Sequence, residues 1–158
     1  MPPQNQAANL RAKAEPLTPT VDQLGPQRAD KVGKKTLVLD LDETLVHSQF
    51  KQPPRYNLKL PVHMENRDFQ VYVAVRPGTQ DFLEEMSKYY ELVIFTASLS
   101  KYANPLMDIL DPKGLCTARL FREHCQFIDN TYMKDMSKLG RRIEDVILID
   151  NSPNSYKL

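Results

Sequence analysis

Cysteine is nearly missing from this sequence. There are two in 158 residues, Cys116 and Cys125. That is too few for a disulfide framework, so a reducing compartment, cytosol or nucleus, is the expected setting. Long apolar runs are missing too. None approaches the roughly 20 residues that a membrane-spanning helix needs. The N-terminus carries no apolar signal core, and Glu15 and Asp22 fit poorly with a mitochondrial transit peptide. Excess charge of either sign is lacking: 21 Lys and Arg against 20 Asp and Glu leave a formal net charge of +1. No bulk attraction to nucleic acid or to a membrane surface follows from that balance. Aromatic residues are absent from residues 1–30, which hold five of the twelve prolines and are rich in Gln and Ala. Such a segment cannot bury enough apolar area to offset its ordering entropy. Residues 1–31 are therefore expected to be a disordered tail ahead of one domain over residues 32–158.

That domain has the material for a core, since 41% of the chain is hydrophobic. Residues 34–48, "KKTLVLDLDETLVHS", pose its central problem. A fully apolar run ends in two carboxylates, Asp40 and Asp42, with only Leu41 between them. Like charges that close raise each other's pKa unless a cation or hydrogen-bond donors stand by. Residues 36–40 read as a strand apolar on both faces, the mark of a central parallel strand. Residues 56–62 and 69–76 alternate with period two and predict a hairpin joined through 63–68. Pro77 then opens a helix with Phe82, Leu83, Met86 and Tyr90 on one face. A second apolar run, "ELVIFTAS", covers 91–98, and a short helix that includes residues 105–110 is expected to end at Asp111-Pro112. Residues 113–133 read as irregular, a short insertion. A third run, "DVILIDNS", covers 145–152.

Apolar runs separated by helical stretches predict an α/β fold with a parallel sheet. The first run delivers Asp40 and Asp42 at its carboxyl end. The second delivers Thr96 and Ser98, and the third Asp150, Asn151 and Ser152. Ligands of open parallel sheets bind beyond the carboxyl ends of the strands. Neighbouring strands would thus gather carboxylates, an amide and hydroxyls into one compact, oxygen-rich, negative site, which suits Mg²⁺. Cys116, His124 and Cys125 lack an evident fourth zinc ligand at suitable spacing. His47 reads as a packing or capping residue.

The stretches "LDLDETLVHS", "RPGTQDFLEEM", "ELVIFTAS", "YMKDMSKLGR" and "ILIDNSPNSY" resemble, in order, the FCP/SCP phosphatase branch of the haloacid dehalogenase superfamily. The likeness is strongest to the small phosphatases acting on the carboxy-terminal domain (CTD) of RNA polymerase II. It implies a haloacid dehalogenase-like Rossmannoid sheet with a β-hairpin flap. It also implies a Mg²⁺-dependent protein serine/threonine phosphatase working through an aspartyl-phosphate. Asp40 would be the nucleophile and Asp42 the general acid and base. Thr96 would donate hydrogen bonds to the transferred group, and Lys134 would pair with both the nucleophile and that group. Asp40, Asp42, Asp150 and Asn151 would hold the metal. Arg122 matches a basic residue near the phosphate. Phe50, Val62, Met64, Val71 and Leu99 match an apolar pocket that receives a substrate proline. The implied partner is a phosphoprotein, such as the polymerase domain itself, with no direct nucleic-acid or membrane binding. The implied location is nuclear, with the cytoplasm second.

The sequence departs from the resemblance at its end. Domains of this kind continue for another helix and strand after the last motif. The domain is therefore expected to lack its last strand and helix, leaving residues 146–149 as an apolar sheet edge. A non-enzymatic binding module on the same fold is the rival expectation. Retention of Asp40, Asp42, Thr96, Lys134 and Asp150 speaks against it. A two-component receiver, which uses similar residue types, has them in the wrong order.

Overall fold

A computed structural model describes residues 22–156. The central sheet has four parallel strands, β1 (Thr36–Leu39), β5 (Glu91–Phe95), β6 (Cys116–Leu120) and β9 (Val146–Ile149), in the order β6-β5-β1-β9. β1 lies between β5 and β9, with Leu39 beside Ile94 on one side and Ile149 on the other. All four residues of β1 are buried. Their side chains alternate between two cores. Leu37 and Leu39 join one with Leu92 and Ile94, while Val38 joins the other with Val93 and Phe95. A strand buried on both faces needs this unbroken apolar run.

Helices α1 (Thr79–Ser87) and α2 (Ser100–Leu110) supply residues to the first core. In α2 the buried residues Tyr102, Ala103, Leu106, Met107 and Leu110 keep the spacing of one helical face. The helix includes the expected residues 105–110 and starts at Ser100. Pro105 lies inside it on the exposed side, at the cost of one backbone hydrogen bond. The expected hairpin forms from β3 (Leu58–Met64) and β4 (Arg67–Val75). Its turn is tighter than the sequence suggests. Glu65 and Asn66 adopt φ of 49° and 58°, the paired left-handed conformations of a two-residue hairpin turn. A third strand, β2 (Val46–Gln49), pairs with β4 and extends the hairpin into a three-stranded flap.

Residues 113–133 are not irregular. They contain β6, paired parallel to β5, and a small hairpin of β7 (Gln126–Ile128) and β8 (Thr131–Met133). β6 escapes the apolar-run criterion because it is an edge strand carrying Thr117 and Arg119, and four of its five residues are half-buried. At the opposite edge, Ile147 and Ile149 of β9 are exposed, beside a groove lined by Leu39, Phe82, Ile149 and Asn151 among others.

The expected tail boundary is corrected as well. Residues 1–21 lie outside the described residues, but 22–31 pack against the domain. Leu24 is buried in the second core with Leu139, Phe95 and Leu120. The main-chain N–H groups of Gln23 and Leu24 donate to the carbonyls of Lys138 and Leu139, at 2.8 and 3.2 Å. Lys31 is buried and donates from Nζ to the Ser87 carbonyl. Gln27 Nε2 donates to Glu91 Oε2, which also accepts from Thr36 Oγ1 and Arg141 Nε. Burial pulls the Glu91 carboxyl upward, but these donors outweigh it and its pKa ends below the usual range. Gly140, at φ +74°, admits this strap. A Cβ there would stand 2.6 Å from the Asp22 side chain. Composition hides the strap because a single leucine anchors it and polar contacts do the rest. Leu24→Ala is expected to destabilise the domain by about 2–3 kcal/mol, read as a lower urea midpoint. An unchanged midpoint would show that the strap contributes nothing to folding.

Candidate active site

The loop after β1 turns around a buried pivot. The Leu41 side chain is fully buried, and its carbonyl accepts from the N–H groups of Thr44, Leu45 and Val46. Glu43 adopts φ 64° to complete the turn. Strand alternation persists through Leu41, so the carboxylates on either side of it leave the core together. The Asp40 N–H donates to the Ile149 carbonyl at 2.9 Å, which draws the ends of β1 and β9 together. Asp40, Asp42, Thr96, Arg122, Lys134, Asp150 and Asn151 thereby line one cleft of about 260 Å³ at the carboxyl end of the sheet.

At its floor, Lys134 Nζ bridges Asp40 Oδ1 and Asp150 Oδ2, each at 2.6 Å. The lysine side chain is 1% exposed, and those of the two aspartates 9% and 1%. Charges this deep are tolerated only when paired and hydrogen-bonded. Burial lifts the Asp40 carboxyl above its ordinary value, Lys134 opposes the rise, and Asp150 adds to it. The remaining oxygens have lighter partners. Thr44 Oγ1 donates to Asp40 Oδ2 at 3.2 Å, and the Ser152 N–H to Asp150 Oδ1 at 2.8 Å. The Lys134 N–H donates to the Ser155 carbonyl, tying β8 to the turn after β9. Two acids against one buried base leave the floor net negative.

Asp42 stands in different surroundings. Ser98 Oγ donates to its Oδ2 at 2.7 Å and Tyr102 OH to its Oδ1 at 2.8 Å. Thr96 is 1% exposed, and its Oγ1 accepts from the Ser98 N–H. Arg122 donates from Nε to the Ala97 carbonyl at 2.7 Å, and its guanidinium lies 4.7 Å over the Tyr132 ring. Stacking and that bond fix the guanidinium at the cleft, leaving its other N–H groups to meet an anion.

An adjoining pocket of about 220 Å³ is lined by Phe50, Met64, Val71 and Leu99, with Ser48, Gln49, Tyr102, Asp42, Ser98 and Arg122. Four of the five apolar residues expected there are present. Val62 is the exception. It is 3% exposed and belongs to the main core. Period two assigns it to the same face of β3 as Met64, but it lies further from the strand end and is covered.

Ser48 and Tyr102 are site residues that sequence reasoning misses, and it finds Ser98 only as one of the polar residues leaving the second strand. The first turn of a helix that follows a site strand faces the carboxyl end of the sheet, and that is the available signal for Tyr102. Cys116 opens β6, whereas His124 and Cys125 lie beyond its other end. The Cys125 thiol is pushed up to about 11, mainly by burial, which unsuits it as a nucleophile. His47 is exposed and pairs with Glu43.

Among the described residues no three His, Cys, Asp or Glu side chains gather into a ready-made metal cage. The groups that could hold a cation are oxygens: the carboxylates of Asp40 and Asp150 and the amide of Asn151. Mg²⁺ commonly binds through one or two carboxylates and keeps room for water and substrate phosphate.

Comparison with known proteins shows the family and the fold. The chain is 52% identical over 124 residues to the human CTD small phosphatase-like protein, covering 78% of this chain and 45% of that protein. It is 47% identical over 139 residues to human carboxy-terminal domain RNA polymerase II polypeptide A small phosphatase 1, covering 88% and 53%. The chain thus spans about half the length of these relatives. The structure of fission yeast RNA polymerase II CTD phosphatase Fcp1 superposes with a TM-score of 0.66 at 22% identity, covering 78% of this chain and 38% of that one, and supports the fold. Residues 35–158 match the NLI interacting factor-like phosphatase family, and the chain belongs to that family.

Proposed function

We propose that this chain is a Mg²⁺-dependent phosphoserine/phosphothreonine protein phosphatase. The observation that carries the reading is the unequal treatment of two carboxylates two residues apart. Asp40 is buried against Lys134, while the Asp42 carboxyl group is held, among the described residues, by two hydroxyls. Pairs of acids held in different surroundings suit different chemical roles.

Asp40 attacks phosphorus through a carboxylate oxygen. The bond from phosphorus to the serine or threonine oxygen breaks, leaving an aspartyl-phosphate on Asp40. Asp42 gives its proton to the leaving alcohol. It then takes a proton from the water that attacks the acyl phosphate, which returns Asp40 and frees inorganic phosphate. Lys134, Thr96 and Arg122 neutralise and orient the transferred group, the main requirement of a loose phosphoryl transition state. Asp40, Asp150, Asn151 and the main-chain carbonyl of Asp42 would hold Mg²⁺. When bound, the ion supplies further positive charge against the repulsion between carboxylate and phosphate.

The apolar pocket beside Asp42 supports a substrate with a proline or similar residue near the phosphorylated one. The names of the relatives favour phosphoserine-proline sites of the RNA polymerase II carboxy-terminal domain, and with them a nuclear site of action. Hydrolysis of p-nitrophenyl phosphate, measured with Mg²⁺ and with excess EDTA, tests the reading. Turnover is expected only with the metal, and a metal-independent background of equal size would overturn it. Preference for a phosphoserine-proline peptide over the same peptide with alanine after the phosphoserine tests the substrate class.

A further inference from the structure

Both oxygens of Asp42 are claimed by side chains with no other evident task in phosphoryl transfer. Ser98 follows β5 and holds Oδ2, while Tyr102, on the first turn of α2, holds Oδ1. The Tyr102 oxygen also meets Ser48 Oγ from β2 of the flap, a contact in which either hydroxyl can donate. Two separate segments thus meet on one carboxyl group, and a third reaches it through Tyr102. We propose that Ser98 and Tyr102 are positioning residues. They fix the Asp42 carboxyl group where it meets the leaving oxygen, and Tyr102 ties that alignment to the apolar pocket. The inference rests on the proposed function, in which Asp42 serves the leaving alcohol.

The chemistry of the tethers supports it. An aspartate on a loop has two side-chain torsions to settle, and hydrogen bonds to both oxygens from different elements settle them. A lysine or arginine in their place would hold the group charged and cost it the proton it must give. A backbone N–H could only donate. A hydroxyl can donate or accept, so Ser98 and Tyr102 fit the carboxyl group both before and after it hands over a proton. For Tyr102 the reversal has an outlet, because its own hydrogen can turn to Ser48. Burial, reinforced by the neighbouring Asp42, pushes the phenol well up, so Tyr102 keeps its hydrogen. Its ring lines the same pocket as Phe50, Met64 and Leu99, so a residue seated there rests against the tether of the acid.

The test uses the leaving group, with the full chain in Mg²⁺. p-Nitrophenolate departs without a proton, whereas the serine oxygen of a phosphopeptide needs one. Tyr102→Phe keeps the ring and removes only the hydroxyl, and Ser98→Ala removes the second tether. Each is expected to lower kcat/KM on a phosphoserine peptide about tenfold or more, and to change kcat/KM on p-nitrophenyl phosphate less than about threefold. Should Tyr102→Phe fail to fold, judged by its circular dichroism, Ser98→Ala makes the comparison alone. Equal losses on both esters would mark a merely structural role and overturn the positioning, leaving the phosphatase reading intact. A wild-type chain that hydrolyses neither ester would overturn both.

Discussion

Asp40→Asn is expected to abolish Mg²⁺-dependent hydrolysis of p-nitrophenyl phosphate, a loss of at least about 10⁴-fold, while the protein stays folded. The amide is nearly isosteric with the carboxylate, but its nitrogen and oxygen are far poorer nucleophiles, and no acyl phosphate can form. The fold should survive because of the charge balance at the floor. With Asp40 ionised, two buried carboxylates share one lysine. With asparagine, Lys134 keeps Asp150 at 2.6 Å and the residual negative charge disappears. The variant should therefore unfold at a urea concentration no lower than that of the wild type. Activity within tenfold of wild type, in a protein shown to be folded, would remove Asp40 from the role of nucleophile.

Lys134→Met reverses that pattern. It removes the cation that bridges Asp40 and Asp150 and leaves two buried carboxylates facing each other. Breaking a buried pair in this way costs about 3–5 kcal/mol, because the charge left behind has lost its partner and its water. The expected result is a large fall in the urea midpoint together with loss of turnover. The double variant Asp40→Asn, Lys134→Met separates the causes. Only one buried carboxylate then remains, so the double variant should be more stable than Lys134→Met alone. Coupling of that sign is what a double-mutant cycle detects between residues in contact. Simple addition of the two single effects would mean that the bridge contributes little. Added Mg²⁺ should raise the midpoint of Lys134→Met if the cleft binds the ion, since a ligand that binds only the folded state stabilises it by mass action.

The expected behaviour of the two variants would distinguish a reaction centre from a structural ion pair. An isolated buried pair is often no better for stability than apolar packing. Here the arrangement keeps an unneutralised carboxylate at the bottom of an open cleft, where a phosphate group and a cation would fit.

Much of the site is legible in the chain. Val38 and Leu39 lie on opposite faces of a central strand, and an uninterrupted apolar run reports that directly. Once such runs are assigned to a parallel sheet, the residues just past each run must sit at one end of it, which brings Asp40, Thr96 and Asp150 to a common rim. Val62 shows the limit. The resemblance carries it into the pocket and its parity agrees, but neither a matched position nor parity names the neighbours that cover it. β6 shows another, since a half-buried edge strand with Thr117 and Arg119 lacks the apolar signature. The strap over residues 22–31 stays hidden because Leu24 alone anchors it while its polar contacts fall on residues far along the chain.

From the sequence alone, the carboxyl-end positions of Asp40, Thr96 and Asp150 were determined, because local periodicity sets where each strand stops and which residue comes next, whereas Lys134 and Arg122 entered only through the resemblance. Tertiary structure decided how those groups are paired. Lys134 reaches Asp40 across 94 positions, and Tyr102 reaches Asp42 across 60. Such pairings depend on strand order, on the helix that follows β5 and on the hairpin that precedes Lys134, none of which a local pattern encodes. A hydrogen bond forms or fails over a few tenths of an ångström, and only the packed core fixes distances that finely between distant parts of the chain.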